Sequence, residues 1–219
     1  MERWATFDCY GTIVDWRAGI GGELGRLFGE DRGGALLERY HALEPAVQRD
    51  GALPYREVLA ETLRRVAAEA GLAVPIGEED ALARSLPAWP VFPDAPGALR
   101  EAQARGWRLA ILSNTDRDLV EASIEAIGVP FDLALVASEI GSYKPDPGHW
   151  RAFAARTGAT PSRHVHVAQS LFHDVAPTRE LGIRCIWINR LGEQPEPEPA
   201  RELPSLTGLA DALDELVPA

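Results

Sequence analysis

The chain has 219 residues, 46% of them hydrophobic, which suits one globular unit or a core domain that carries a smaller insertion. Its formal net charge of -11, with no stripe of lysine or arginine to interrupt it, argues against nucleic acid as a partner. No apolar run approaches the roughly 20 residues of a membrane-spanning helix, and no signal-peptide pattern follows the first residues, so we expect a cytoplasmic protein without a membrane partner.

The first predicted element is a short buried strand. An apolar run from Trp4 to Phe7 ends in Asp8 and breaks at Gly11 and Thr12, which predicts a strand that delivers residues to a loop at its C-terminal end. From residue 16 to residue 87 the apolar positions recur at helical spacing between turns rich in glycine and proline. This middle block is therefore predicted to contain three or four helices and no strand.

Beyond residue 87, strands and helices are predicted to alternate. Such alternation implies right-handed crossovers and a parallel, doubly wound sheet, so the predicted fold class is α/β, with 1–15 and 88–219 in the core and the helical block 16–87 inserted. Chemistry is then expected at the C-terminal ends of the strands. The predicted strands are 108–112, 133–136, 164–168 and 184–188, the helices are 96–105, 118–127, 147–157, 175–181 and 209–216, and the Pro- and Glu-rich 193–200 is a solvated loop.

Four polar clusters follow successive strands of this predicted sheet. They are Asp8 to Thr12, Ser113 to Thr115, Lys144, and Gln169 to Asp174. Each has a plainer interpretation alone, because aspartate, serine and asparagine often cap turns or helices and a loop lysine is usually solvated. Their coincidence at strand ends that meet along one edge favours a shared site.

These clusters resemble the four motifs of the haloacid dehalogenase superfamily. The form DxYGT of the first motif is typical of the L-2-haloacid dehalogenase branch. The resemblance spans the whole predicted core, implies a Rossmann-like core and identifies the insertion 16–87 as an all-helical cap. The matching segments are FDCYGTIVD at 7–15, LSN at 112–114, SYKPD at 142–146, and QSLFHD at 169–174 followed by WINR at 187–190.

Two positions distinguish this chain from the phosphatases of the same superfamily. A phosphatase uses an aspartate two residues after the nucleophile as general acid, whereas this chain has Tyr10, and a phenol with an unperturbed pKa of about 10 is a poor donor at neutral pH. Gln169 replaces a carboxylate that would help bind a divalent cation. A halide leaving group needs neither a proton nor a metal, so we expect no metal and no cofactor.

The resemblance implies a covalent mechanism on a small-molecule carboxylic acid. Asp8 would attack the carbon next to the substrate carboxylate, displace the leaving group and form an aspartyl ester that water then opens. A cation lowers the pKa of a nearby carboxylate, so Lys144 would keep Asp8 ionised. Asp174 would orient or deprotonate the water.

The remaining motif residues have supporting roles in this prediction. Thr12 and Ser113 would hold the carboxylates, and Asn114 would donate to the departing halide. An arginine that grips the substrate is implied in the first cap helices, and Arg39 is the nearest candidate. The residues expected to line the substrate or support the water are Tyr10, Gln169 and Ser170.

Several alternatives stay open at this stage. Gln169 and Leu171 replace a serine and an asparagine of the dehalogenases, so the leaving group is left as chloride, bromide, fluoride or a ring nitrogen. A Mg-dependent phosphatase acting on a small phosphorylated metabolite and a non-catalytic member of the superfamily are the competing functions. His164 and His166 share a strand face and could form a metal pair, although buried histidines are commoner. A homodimer is also left open.

Overall fold

A single parallel sheet organises the molecule. The computed structural model describes residues 2–49 and 53–219. Within these ranges the strands are β1 Arg3–Phe7, β2 Trp107–Ser113, β3 Leu133–Val136, β4 His164–Ala168, β5 Arg184–Ile188 and β6 Arg201–Leu203. They lie in the order β3-β2-β1-β4-β5-β6, and every pairing is parallel. The predicted doubly wound parallel α/β fold is confirmed.

The strand order reverses at β1, which has β2 on one side and β4 on the other. Phe7, the last residue of β1, is in register with Ile111 and Val167. The loops that follow these three strands therefore leave the same edge of the sheet close together. Such a reversal opens a crevice at the C-terminal strand ends, where α/β proteins place their ligands.

Helices cover both faces of the sheet. The helices in the described residues are α1 Trp16–Phe28, α2 Gly33–Arg49, α3 Tyr55–Glu69, α4 Ala81–Ser85, α5 Ala95–Ala104, α6 Arg117–Ile127, α7 Ala137–Ile140, α8 Gly148–Thr157, α9 Ala176–Glu180 and α10 Leu209–Leu216. In the described ranges, no helix has the length and apolar character needed to cross a membrane.

The alternation of side chains along the strands explains the two layers. In β1, Ala5 and Phe7 join the larger apolar cluster, whereas Trp4 points to the other face. There Trp4 packs against Phe153 of α8 at 5.4 Å between ring centroids. Because both faces are covered, β2, β3 and β5 are mostly apolar and their positions were predictable from the sequence.

Two elements differ from the prediction. The strand β6 was not predicted, because it has three residues, Arg-Glu-Leu, of which two are exposed, and so it carries no apolar pattern. The helix predicted at 175–181 begins earlier as a wide turn over Leu171–Val175 and ends with α9 at Glu180. The loop predicted at 193–200 is mostly exposed, as expected.

The helices α1 to α4, which we call the cap helices, follow β1. As predicted, no strand lies between them in the described residues. One apolar cluster contains Ile20 and Leu59 from these helices together with Phe7 and Ile111 from the sheet. The assignment of 16–87 as a separate cap domain therefore stays a prediction.

A carboxylate from the sheet side holds the cap helices over the strand ends. Asp116, in the loop after β2, accepts the backbone N–H groups of Tyr55 at 3.0 Å and Arg56 at 2.9 Å. These are the first two residues of α3, whose own N-terminal residue Pro54 provides no side-chain cap. Tyr143 adds a hydrogen bond from its hydroxyl to the carbonyl of Leu53 at 2.8 Å.

Close packing of α1 on Trp89 gives a test of this arrangement. A Cβ added at Gly19 would lie 2.3 Å from the Trp89 ring, whereas a Cβ at the exposed Gly22 of the same helix would meet nothing within 4 Å. Gly19→Ala should lower the free energy of unfolding by about 1–3 kcal/mol through overpacking. Gly22→Ala should raise it by about 0.5–1 kcal/mol. Urea unfolding measures both, and equal effects of the same sign would contradict the packing.

Candidate active site

A lysine ammonium lies between two carboxylates at the C-terminal edge of the sheet. Lys144 Nζ donates to Asp8 Oδ1 at 2.9 Å and to Asp174 Oδ1 at 2.7 Å. Lys144 and Asp174 are almost completely buried, and Asp8 is 8% exposed. Because an isolated buried charge is very unfavourable, these side chains stabilise one another as a unit, which we call the ion triad.

The loop after β1 presents Asp8 through three contacts. The Asp8 backbone N–H donates to Val167 of β4 at 3.0 Å. Thr12 Oγ1 donates to Asp8 Oδ2 at 3.0 Å and accepts the backbone N–H of Gln169 at 2.9 Å. Gly11 allows the tight turn between Asp8 and Thr12, because its φ of 99° is a conformation that side-chain-bearing residues rarely adopt. Thr12 thus joins the β1 and β4 loops behind the carboxylate.

Asn114, which follows β2, positions the lysine. Its Oδ1 accepts the backbone N–H of Lys144 at 2.6 Å, and its Nδ2 donates to the Lys144 carbonyl at 2.9 Å. One Nδ2 hydrogen of Asn114 therefore remains available for the predicted contact with a leaving group. Although burial alone would lower the pKa of Lys144, the carboxylates of Asp174 and Asp8 raise it to about 12, so the ammonium stays charged.

Asp174 lies in the wide turn that follows β4. Its Oδ1 accepts from Lys144 and also contacts His166 Nε2 at 2.9 Å. Its Oδ2 is buried and, among the described residues, has no hydrogen-bond partner. Burial would raise the pKa of Asp174, but Lys144 and His166 outweigh that effect and hold the pKa below its ordinary value. The residue is therefore an ionised carboxylate, and one of its oxygens has no hydrogen-bond donor among the described residues.

A small cavity of about 110 Å³ opens on the ion triad. Its sheet side is formed by the triad with Ser113, Asn114, Gln169 and Ser170, and its other side by residues of the cap helices. The Ser113 hydroxyl is buried and has no hydrogen-bond partner among the described residues. Ser170 instead accepts the backbone N–H of His173 at 3.0 Å. The site residues that the sequence placed at the strand ends thus converge on one cavity.

Tyr10 contributes its ring to this cavity rather than its hydroxyl. The hydroxyl bonds to Ser123 Oγ at 3.1 Å, and the ring stacks on Tyr55 of the cap helices at 6.4 Å between centroids. Burial raises the pKa of the Tyr10 phenol well above its ordinary value. These contacts make Tyr10 a packing residue and remove it as a proton donor at neutral pH.

The structure does not bring Arg39 to the cavity. Its guanidinium is exposed and pairs with Glu69 on the outer surface of the cap helices. The cap side of the cavity instead carries Glu44, whose Oε1 accepts the hydroxyls of Tyr40 at 3.1 Å and Tyr55 at 2.9 Å. Burial raises the pKa of Glu44, although the two tyrosine hydrogen bonds act in the opposite direction. The sequence analysis missed Glu44.

A divalent cation fits these residues poorly. Each carboxylate of the triad has one oxygen on Lys144, and the second oxygen of Asp8 accepts from Thr12. The Gln169 amide points to Glu193 at 3.3 Å. Within the described ranges, no three His, Cys, Asp or Glu side chains are grouped to hold a metal ion. Because Mg²⁺ requires several oxygen ligands, we assign no step of a reaction to a metal.

Comparisons with known proteins agree with this geometry at the level of a family. A family model described as haloacid dehalogenase-like hydrolase matches residues 3–182. An (S)-2-haloacid dehalogenase 4A of Burkholderia cepacia is 26% identical in an alignment 221 positions long that covers 99% of this chain and 94% of that protein. A phosphoserine phosphatase of Thermus thermophilus is 34% identical in an alignment 174 positions long that covers 77% of this chain and 68% of that protein.

The fold also has close counterparts among solved structures. The crystal structure of the L-2-haloacid dehalogenase RSc1362 superposes with a TM-score of 0.88 at 24% identity, covering 97% of this chain and 99% of that chain. At that identity the likeness concerns the fold alone.

Removing the ammonium should leave two buried carboxylates without compensation. Lys144→Met should lower the free energy of unfolding by about 3–5 kcal/mol, the usual cost of breaking a buried ion pair. The double variant Lys144→Met with Asp174→Asn should be more stable than the sum of the two single effects implies, because one of the two uncompensated carboxylates is gone. Urea unfolding of all four proteins measures the coupling, and strictly additive losses would contradict it.

Proposed function

This chain belongs to the haloacid dehalogenase-like hydrolases, and we propose that it is a metal-independent hydrolase that forms a covalent ester between Asp8 and a small 2-substituted carboxylic acid. The observation that carries the proposal is the ion triad, in which the Lys144 ammonium lies 2.9 Å from Asp8 Oδ1 at a small cavity. A carboxylate that is ionised and largely shielded from water is a competent nucleophile toward carbon.

The first step is a displacement at the carbon next to the substrate carboxylate. An oxygen of Asp8 forms a bond to that carbon as the bond to the leaving group breaks, and the leaving group departs with the electron pair. The negative charge thus moves from Asp8 to the leaving group. Donors such as Ser113 Oγ and the remaining Asn114 Nδ2 hydrogen stabilise it as it develops.

The second step is hydrolysis of the ester. The free Oδ2 of Asp174 takes a proton from a water molecule, and the hydroxide adds to the carbonyl carbon of the Asp8 ester. Lys144 stabilises the oxyanion that forms there. Collapse releases the 2-hydroxy acid, whose oxygen takes up the proton from Asp174, and leaves Asp8 as a carboxylic acid. Loss of that proton to solvent restores the Asp8 carboxylate.

A phosphatase is the second candidate, and the 34% identity to a phosphoserine phosphatase favours it. Transfer of a phosphoryl group to Asp8 would require a proton for the leaving alkoxide. The residue at the general-acid position, Tyr10, directs its hydroxyl to Ser123 instead. The geometry therefore supports the dehalogenase-like reaction better.

The decisive test measures halide release and a covalent adduct together. Wild-type protein should release halide from a panel of 2-chloro, 2-bromo and 2-fluoro acids equally with and without EDTA. Asp8→Asn should lose roughly 10³-fold or more of that rate, since no nucleophile remains. Asp174→Asn should accumulate an ester on Asp8, visible as added mass on the intact protein.

The matched control is Asp146→Asn, an exposed aspartate two residues after Lys144, which should behave as wild type. Phosphate release that requires Mg²⁺ and is lost in Asp8→Asn would establish the phosphatase instead. No turnover of either substrate class and no adduct would indicate a binding protein.

Glu44 gives the proposed site a preference among substrates. The Glu44 carboxylate on the cap side of the cavity repels the carboxylate of a substrate. We therefore expect the substrate carboxylate to lie on the sheet side, near Lys144. Glu44→Gln should raise kcat/KM for anionic substrates by about 3- to 10-fold at neutral pH. The gain should become smaller as the pH falls. Glu44, whose pKa is raised, takes up a proton at a higher pH than an ordinary glutamate and then no longer repels the substrate. Glu57→Gln, on the exposed side of α3, is the control, and an equal gain there would refute the assignment.

A further inference from the structure

A chain of buried hydrogen bonds runs from His164 through Thr6 and His166 to the carboxylate of Asp174. Thr6 Oγ1 lies 2.7 Å from His164 Nε2 and 2.8 Å from His166 Nδ1, and His166 Nε2 lies 2.9 Å from Asp174 Oδ1. The three residues Thr6, His164 and His166 come from β1 and β4, and they are at most 3% exposed. This chain accounts for the two histidines that the sequence analysis singled out.

The donors and acceptors in this chain can be assigned from chemistry. Nε2 of His166 faces a carboxylate oxygen, so it carries the proton and donates. In a neutral ring Nδ1 must then accept, and the donor facing it is the Thr6 hydroxyl. Since that hydroxyl has one hydrogen, its oxygen accepts from His164 Nε2. All three hydrogen bonds therefore point toward Asp174.

Aromatic rings of α8 pack against both histidines. His166 packs edge-on against Trp150 at 5.4 Å, and His164 packs against Phe153 at 4.7 Å. Burial, with a smaller contribution from His166, lowers the pKa of His164 to about 3, so that ring is neutral. Aromatic rings of α8 thus cover this face of the hydrogen-bond chain.

Two donors on one oxygen determine the orientation of Asp174. Lys144 and His166 both contact Oδ1, which leaves Oδ2, on a residue that lines the cavity, as the buried oxygen without a partner among the described residues. Without His166, rotation of the carboxylate would exchange the two oxygens at little cost. A base that takes a proton from water needs its free oxygen held in place.

We infer that His166 is a positioning residue for the hydrolytic step, which holds Asp174 so that Oδ2 meets the attacking water. The kinetic effect expected for His166 rests on the proposed function, whereas the assignment of donors and acceptors does not. Loss of His166 should slow hydrolysis of the ester but not its formation, because displacement by Asp8 does not use Asp174 Oδ2.

The kinetic test compares three variants in single-turnover reactions with a 2-halo acid, followed by intact-mass spectrometry. His166→Leu should form the Asp8 ester within about threefold of the wild-type rate but hydrolyse it roughly 10- to 100-fold more slowly, as expected for losing a hydrogen bond to a charged group. His166→Gln, whose amide can donate from the position of Nε2, should recover hydrolysis to within about fivefold of wild type.

His164→Leu is the matched control, because it removes a buried imidazole from the same strand without touching Asp174. It should hydrolyse the ester within about threefold of the wild-type rate. A general weakening of the fold would instead slow both half-reactions in both leucine variants. Equal slowing of ester formation and hydrolysis in His166→Leu, or failure of His166→Gln to recover hydrolysis, would overturn the inference.

A second measurement is independent of any substrate. Nitrogen-15 NMR of the histidine rings should show His166 as the Nε2–H tautomer in wild-type protein, and its ring nitrogen shifts should change in Asp174→Asn. The Nδ1–H tautomer at His166 would overturn the inference. If no acid in the panel forms an ester on wild-type Asp8, the proposed function fails, and the NMR result alone then decides the hydrogen-bond assignment.

Discussion

The ammonium of Lys144 between Asp8 and Asp174 is the interaction on which the site depends. Two carboxylates in a buried crevice would repel each other and one would take up a proton, whereas a shared cation keeps both ionised. The same interaction ties three strand-end loops together, since Asp8 follows β1, Asp174 follows β4, and Lys144 is bracketed by Asn114 after β2. The ion pairs that stabilise the charges of the site therefore also hold three loops of the fold together.

The two carboxylates differ in their surroundings, and the proposed reaction divides the chemistry between them accordingly. Asp8 has both oxygens engaged, one by Lys144 and one by Thr12, and it lines the cavity. Asp174 has two donors on one oxygen and, among the described residues, none on the other. The sheet side of the cavity thus contains the groups to which the proposal assigns the reaction, and the cap helices contribute Glu44 and Tyr55.

Much of the fold was readable from the sequence because the strands are buried on both faces and the helices between them are amphipathic. Strands β3, β4 and β5 and helix α10 have the predicted bounds. The three-residue β6 was not predicted, because so short a charged segment gains its strand geometry only from pairing with β5. The wide turn over Leu171–Val175, which contains Asp174, was likewise not predicted.

The sequence by itself determined which sheet-side residues meet, because residues that end neighbouring parallel strands must converge whatever surrounds them. Asp8, Lys144 and Asp174 were predicted in this way. Only the tertiary structure decided that Glu44 rather than Arg39 faces the cavity, since the rotation of a helix packed over a crevice depends on all its contacts. It also decided that His166 supports Asp174, because a contact between side chains of adjacent strands and a following loop depends on register and packing that no single segment encodes.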